Sequence, residues 1–315
     1  MNNQKSAFDQ KQAAAARKAE MEEITAKLEK GVQDIFEGEN YREYLKFCSR
    51  FPKYSVNNQI LIMLQKPDAT MCQSFTGWKS MDRFVKKGET GIRIIAPSPF
   101  KVKRERDKKD FEGNTILNGD GDPVKETFEV TINSFKVTST FDISQTQGKP
   151  VPTIGINELT GSVDGYEPLL KAIEEAVPVP ISFEQIDSGA KGFYNLEDDR
   201  IVVKKDMSQI QTIKTILHEA SHQALHSKKA MEKSDEKKSR NQKETEAEAV
   251  AFIVCSHFGI DTKSYSFLYL ASWSKGKKVP ELKASLDTIR GAASEMIEKI
   301  EEKLCKKGNT LIKLA

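Results

Sequence analysis

Cysteine is scarce in this 315-residue chain, and Cys48, Cys72, Cys255 and Cys305 form no C-x-x-C pair. A disulfide framework is not expected, and the four read as buried reduced thiols of a cytosolic protein. Long apolar runs are missing too. No stretch approaches the ~18 apolar residues of a membrane helix, and the Gln-, Lys- and Glu-rich N-terminus has no apolar core segment. Secretion and membrane insertion are therefore not expected, and the cytoplasm is the expected location. Net charge is close to balanced, with 49 basic against 46 acidic residues, so no global field points to nucleic acid. Internal repeats and Walker-type or dinucleotide-binding glycine motifs are also absent.

The balance hides an uneven distribution. Residues 41–109 carry 16 Lys and Arg against 6 Asp and Glu, whereas residues 151–315 carry 24 against 25. Within the basic part, Phe75-Thr76-Gly77-Trp78-Lys79 and Arg83-Phe84-Val85-Lys86-Lys87-Gly88-Glu89 mix aromatic and cationic residues. Single-stranded nucleic acid needs such a mixture, because bases stack on rings while phosphates sit on Lys and Arg. From these residues alone, a core tryptophan beside a solvated turn is an equally good reading of Trp78.

The second half carries Ile216-Leu217-His218-Glu219-Ala220-Ser221-His222. On a helix, residues four apart share a face, so His218 and His222 can each offer a ring nitrogen to one metal ion with Glu219 beside it. This is the H-E-x-x-H pattern of zinc peptidases: neutral imidazoles hold Zn2+ without cancelling its charge, and the carboxylate takes a proton from water. Ile210, Ile213, Leu217, Ala220 and Ala224 recur at helical spacing, and Ser208 with Gln211 supplies an N-terminal cap. Leu225 and Lys228 stand where a metzincin has Gly and a third His, so that subclass is excluded. The remaining source of a third ligand is a later helix, and residues 244–254 supply one, with Glu244 and Glu248 on one face. Glu244 is the expected third ligand and Glu248 the carboxylate that orients a ligand histidine. His226 is expected to end the first helix without binding metal, and His257 to be packed or on the surface.

Helices are expected over 13–30, ending at Gly31, and over 41–51, 57–65, 166–176, 265–273 and 281–305. Strands are expected at 92–97, 100–104, 128–141, 181–183 and 201–204. Residues 105–125 read as a long mobile hairpin loop, 145–157 as the best linker region and 228–243 as a flexible polar connection.

Taken in order, the motifs resemble the ArdC-type antirestriction proteins of conjugative elements, and more closely their relatives in Gram-positive bacteria. The likeness covers most of residues 40–275. It rests on Tyr54-Ser55-Val56-Asn57-Asn58-Gln59, Gln65-Lys66-Pro67-Asp68-Ala69-Thr70, Trp78 with Val85-Lys86-Lys87-Gly88-Glu89, the His218 motif, residues 244–254, Tyr265-Ser266-Phe267 and Ala271-Ser272-Trp273-Ser274. The resemblance implies an α+β chain of two domains. An α+β single-stranded-DNA-binding domain is joined to a mostly helical, zincin-like metallopeptidase domain with a small sheet, acting when DNA enters a new host as a single strand.

The expected organisation is a charged helical extension (1–38), the DNA-binding domain (39–147), a linker (148–158) and the metallopeptidase domain (159–315). Zn2+ would be held by His218, His222 and Glu244, with Glu219 as general base and Tyr194, Tyr265 and Tyr269 as candidate oxyanion donors. The expected contacts to single-stranded DNA are Tyr54, Asn57, Phe75, Trp78, Arg83, Lys86, Lys87 and Arg93. A protein substrate, unidentified by the sequence, is the other expected partner. The rival reading is a non-catalytic DNA-coating protein whose zinc only staples helices together; phosphodiester cleavage is a weaker third, since such sites commonly use two metals.

Overall fold

The computed structural model describes residues 2–37, 39–151, 163–232, 238–260, 262–263, 265 and 267–306. Two compact units emerge: Met1–Thr25 with Arg93–Ser139, and Ala26–Ile92 with Thr140–Ala315. The chain is α+β, with small sheets among many helices. Most of the expected linker, residues 152–158, lies outside the described residues, as does Ser266 of the expected helix 265–273.

Helix α1 (Asn2–Ile35) runs past Gly31, where an end was expected. Helices α2 (Asn40–Arg50) and α3 (Val56–Gln65) follow. Glycine at position 31 serves close approach: a Cβ there would lie 2.7 Å from the Ile60 side chain on α3. Strand β1 (Cys72–Gln73) leads into the short helix α4 (Phe75–Ser80), whose N-cap Ser74 accepts from Gly77 N–H. Strands β2 (Arg83–Val85), β3 (Ile92–Pro97), β4 (Phe100–Asp107), β5 (Lys125–Ile132) and β6 (Phe135–Asp142) follow, then a 3-10 turn at Ile143–Gln145 and β7 (Thr146–Gly148).

The single strand expected over 128–141 is two strands, β5 and β6, interrupted at Asn133 and Ser134. Ribbon β4-β5 is antiparallel, from Phe100 opposite Ile132 to Asp107 opposite Lys125. It thus extends three residues into the expected loop at its β4 end, and within the loop Asp110 and Asn118 each accept backbone N–H groups two and four residues on. Cross-strand pairs Lys101–Glu129 and Arg106–Glu126 offset part of the ribbon's positive charge. Being exposed, they contribute little stability.

The remaining elements are α5 (Val163–Ala176), β8 (Ile181–Glu184), β9 (Gly192–Asn195), β10 (Arg200–Lys204), α6 (Gln209–His226), α7 (Lys228–Glu232), α8 (Arg240–His257), α9 (Leu270–Ser274) and α10 (Val279–Lys306). Helix α9 is shorter than expected: Tyr265 and Phe267 lie before it, and Phe267 has φ of +47°, which no right-handed helix accommodates. Helix α7 and the start of α8 occupy much of the expected connection 228–243, of which residues 233–237 lie outside the described residues.

Helix α8 is the hub of the larger unit, packed by α2, α6, α9 and α10. Its run from Ala249 to Cys255 is wholly buried, as a helix apolar on every side must be. Sheet β8-β10-β9 flanks α6, with β10 parallel to β8 and antiparallel to β9. The fully buried Ile201, Val202 and Val203 form its centre.

Candidate metal centre

Helix α6 begins where sequence placed it, at the cap Ser208, whose side chain accepts from Gln211 N–H. Its 3.6-residue period lines up His218, His222 and His226, with ring centroids 4.8 and 5.4 Å apart in succession. Helix α8 packs along α6 and starts at the cap Ser239, which sets Glu244 opposite the first two histidines. His218 Nε2 lies 3.2 Å from His222 Nε2, and Glu244 Oε2 lies 3.7 and 3.5 Å from them.

Three donors bound tetrahedrally at the ~2.0–2.1 Å of Zn–N and Zn–O bonds stand roughly 3.3–3.4 Å apart. The observed separations fit that spacing. The donor set, two imidazoles and a carboxylate, also suits zinc and leaves a fourth position open to water or substrate. These three residues are the one such cluster among the described residues.

Charge at the site favours a cation. The facing imidazoles of His218 and His222 hold the Glu244 carboxyl well below the usual carboxylate range. For His218, burial works against the imidazolium, but the Glu244 carboxylate facing it and the charges of Glu219 and Glu248 outweigh it and raise its pKa. Burial also pushes Glu219 up, although both histidines and the Tyr194 N–H pull the other way.

Glu219 is positioned by strand β9. Its Oε2 accepts from the Tyr194 N–H at 2.9 Å. That approach depends on Gly192, where a Cβ would lie 2.6 Å from the Thr215 methyl and 2.8 Å from Val202 O. The sequence reading missed β9; the signal available was a short Gly-Phe-Tyr-Asn run followed by a turn.

The other predicted residues divide. Glu248 is half-buried one turn beyond Glu244 and near enough to His218 to favour its charged form. A further carboxylate in the histidine row is Glu246, 1% exposed and 3.2 Å from His226 Nε2, a residue the sequence reading passed over. His226 does end α6. His257 is packed, with its nitrogens on Ser49 O and Glu301 Oε1. Among the oxyanion candidates, Tyr194 turns its hydroxyl to Asp199 at 2.6 Å and Tyr265 places its own 3.5 Å from Cys255 Sγ. Tyr269 is exposed.

Trp78 requires correction as a base-stacking residue. It is 0% exposed and its indole N–H donates to Phe141 O at 2.8 Å, so neither ring face is available. Arg83 is drawn inward as well, donating to Thr146 Oγ1 and O and to Lys149 O while its guanidinium lies over Trp78. Tyr54 is half-buried and donates to Cys72 O, and half-buried Asn57 has its Oδ1 enclosed. In the other compact unit, Arg93 is ion-paired with Glu20. Phe75 is 57% exposed, and Lys86 and Lys87 are exposed. The alternation of β2 turns Phe84, absent from the expected contacts, outward at 52% exposure.

Residues 14–141 match the family described as the N-terminal domain of anti-restriction factor ArdC, and residues 175–293 match the IrrE N-terminal-like domain. An uncharacterised protein of Bacillus anthracis is 27% identical over 319 residues, 91% of this chain and 52% of that protein. The DNA primase TraC of Escherichia coli is 24% identical over 258 residues, 79% of this chain and 17% of the primase. The chain thus spans about half the length of the first of these relatives and under a fifth of the second. Among solved structures, the metal-free antirestriction protein ArdC from the R388 plasmid aligns with a TM-score of 0.47 and 18% identity, over 82% of this chain and 87% of that one. Its Mn(II)-bound structure aligns with a TM-score of 0.42 and 18% identity, over 82% and 86%. No helix among the described residues is long and apolar enough to cross a membrane.

Proposed function

We propose that this chain, which carries the N-terminal domain of anti-restriction factor ArdC followed by an IrrE N-terminal-like domain, is an antirestriction protein that binds single-stranded DNA and hydrolyses peptide bonds. The observation that carries the peptidase reading is the convergence of His218, His222 and Glu244 at near-tetrahedral spacing, with Glu219 fixed beside them. Zn2+ held by those three residues would supply a Lewis acid that polarises a peptide carbonyl and lowers the pKa of bound water to about 7. Glu219 takes the proton from the attacking water and returns it to the leaving amine. A buried carboxylate whose pKa is raised suits both roles, since it is a stronger base toward the water proton than an ordinary carboxylate and remains acidic enough to pass that proton to the leaving amine. The Tyr194 N–H keeps Glu219 in one rotamer for both transfers.

The DNA reading rests on the first domain's family match and on exposed rings beside exposed lysines. Phe75 and Phe84 are the proposed stacking residues, and Lys86 and Lys87 the proposed phosphate contacts. The domain boundaries proposed from sequence are 39–147 and 159–315; within the larger compact unit, α2 and α3 pack against α8 and α10.

The test uses the full chain. Wild type should purify with close to one zinc ion and release new peptide termini from host-cell extract, with and without single-stranded DNA compared. Glu219→Gln should keep the zinc and the DNA binding while cleavage falls at least ~100-fold. Full cleavage by that variant would remove Glu219 from the chemistry; no cleavage by wild type under any condition would favour a DNA-coating protein with a structural metal.

A further inference from the structure

His226 is 4% exposed and Glu246 1% exposed, and neither is among the proposed ligands. Burying a carboxylate and an imidazole is costly unless each polar atom is answered. Here the answers are complete around Glu246. Its Oε2 accepts from Lys238 Nζ at 2.7 Å and faces His226 Nε2 at 3.2 Å; its Oε1 accepts from Gln242 Nε2 at 3.1 Å and from Ser285 Oγ at 3.5 Å. The carboxylate is thus held from α6, α8, α10 and the segment before α8. The remaining nitrogen of His226, Nδ1, lies 3.2 Å from His222 Nδ1.

Only one arrangement of protons satisfies this row when the imidazoles are neutral. A neutral imidazole has one N–H and one acceptor nitrogen. Glu246 accepts only, so His226 carries its proton on Nε2 and leaves Nδ1 as an acceptor. His222 must then carry its proton on Nδ1, which leaves the lone pair of Nε2 pointing to His218 and Glu244. Without His226, either nitrogen of His222 could hold the proton.

We infer that Glu246 and His226 form a positioning chain that fixes the tautomer and ring orientation of His222 and so selects Nε2 as its metal-binding atom. The inference rests on the metal reading above and adds two residues that touch neither metal nor substrate. A ligand histidine whose other nitrogen is held by an outer partner is a better ligand, and loss of such partners costs ~10–100-fold in affinity. Two links in series distinguish this chain from the direct carboxylate–histidine pair, and Lys238 keeps the Glu246 charge from demanding a proton from the row.

The experiment has two arms on the full chain. Long-range 1H–15N correlation of the zinc-loaded wild type should show one histidine row with Nδ1–H on His222 and Nε2–H on His226; a bare Nδ1 on His222 would overturn the inference without any substitution. In the second arm, competition with a chelator measures zinc affinity while thermal melting monitors the fold. His226→Leu should weaken zinc ~10–100-fold. His226→Asn, whose amide oxygen stands near the lost Nδ1, should recover most of that affinity although it no longer reaches Glu246. Equal zinc affinity in wild type, His226→Leu and His226→Asn would refute the chain while leaving the three-ligand site intact. A wild type that binds no zinc would remove the site itself, and the chain with it.

Discussion

The α6–α8 pair and the basic stretch from Phe75 to Lys87 both advertise chemistry through residue type, and the fold treats them in opposite ways. On α6 and α8 the motif residues meet: His218, His222 and Glu244 converge within one cluster. In the basic stretch, Trp78 is buried and Arg83 spends its donors on Thr146 and Lys149, while the rings left outside are Phe75 and Phe84. A motif written in helical spacing already contains its geometry, because residues four apart on a helix cannot avoid one another. A cluster defined by composition contains none, and which of its members faces water is settled by strand alternation and by unsatisfied backbone groups elsewhere.

The strongest way to break this contrast is to truncate Trp78. As a fully enclosed side chain, Trp78→Ala should cost ~3–5 kcal/mol of stability in urea titration, with any loss of DNA binding following from unfolding. A variant that melts like wild type yet fails to bind single strands would return Trp78 to the DNA surface and dissolve the distinction between the two regions.

A smaller effect is expected at Asp142, which ties down the framework behind the stretch. Burial works against its carboxylate, but hydrogen bonds from Ser144, Thr70 and Met71 outweigh that and keep its pKa below the ordinary value. A depressed pKa stabilises the fold above the unfolded-state value near ~3.9, and that stability is lost as pH falls through the folded-state pKa. Asp142→Asn should therefore be about 1–3 kcal/mol less stable at neutral pH, and the gap should close in acid. A gap that stays the same as pH is lowered through the folded-state pKa would mean that charge is not the source of these bonds.

Much of the larger unit was legible because its signals were periodic. The Ser208 cap, the α6 face and the acidic face of α8 could all be placed from spacing alone. Glu246 could not, since it lies two residues from Glu244 and so on a different side of α8. Only the packing of α10, which brings Ser285 within 3.5 Å, shows that this side is interior. Gly31 misled for a related reason: glycine ends many helices, but here it admits α3 at a distance no Cβ would allow. Strand β9 is four residues long and half-polar, too short for alternation to reveal it.

The contrast sharpens at the two exposed rings. Phe75→Ala and Phe84→Ala should each weaken single-stranded DNA by ~1–3 kcal/mol, read by fluorescence anisotropy, with melting temperatures nearly unchanged. Of the two, Phe84 is the better discriminator: it stands on β2 between Arg83 and Val85, both of which face inward. Loss at Phe75 alone would confine the DNA path to α4.

The smallest expected effect separates two neighbouring lysines. Each phosphate contact on a single strand contributes about 0.7 to the slope of log affinity against log salt. Lys87 is exposed at the turn beyond β2, so Lys87→Ala should flatten the slope by about that amount. Lys86 is exposed as well, but its ammonium donates to Ser144 O at 2.9 Å and its backbone N–H to Gln145 O. That bond competes with a phosphate for the same donor group, so Lys86→Ala should flatten the slope by less and lower the melting temperature slightly. Equal slopes in the two variants would show that the ammonium leaves Ser144 when DNA arrives, making Lys86 a contact held in reserve. An unchanged slope in both would place the DNA path elsewhere, and the exposed Phe100 and Phe135 with the basic β4 strand would be the next surface to substitute.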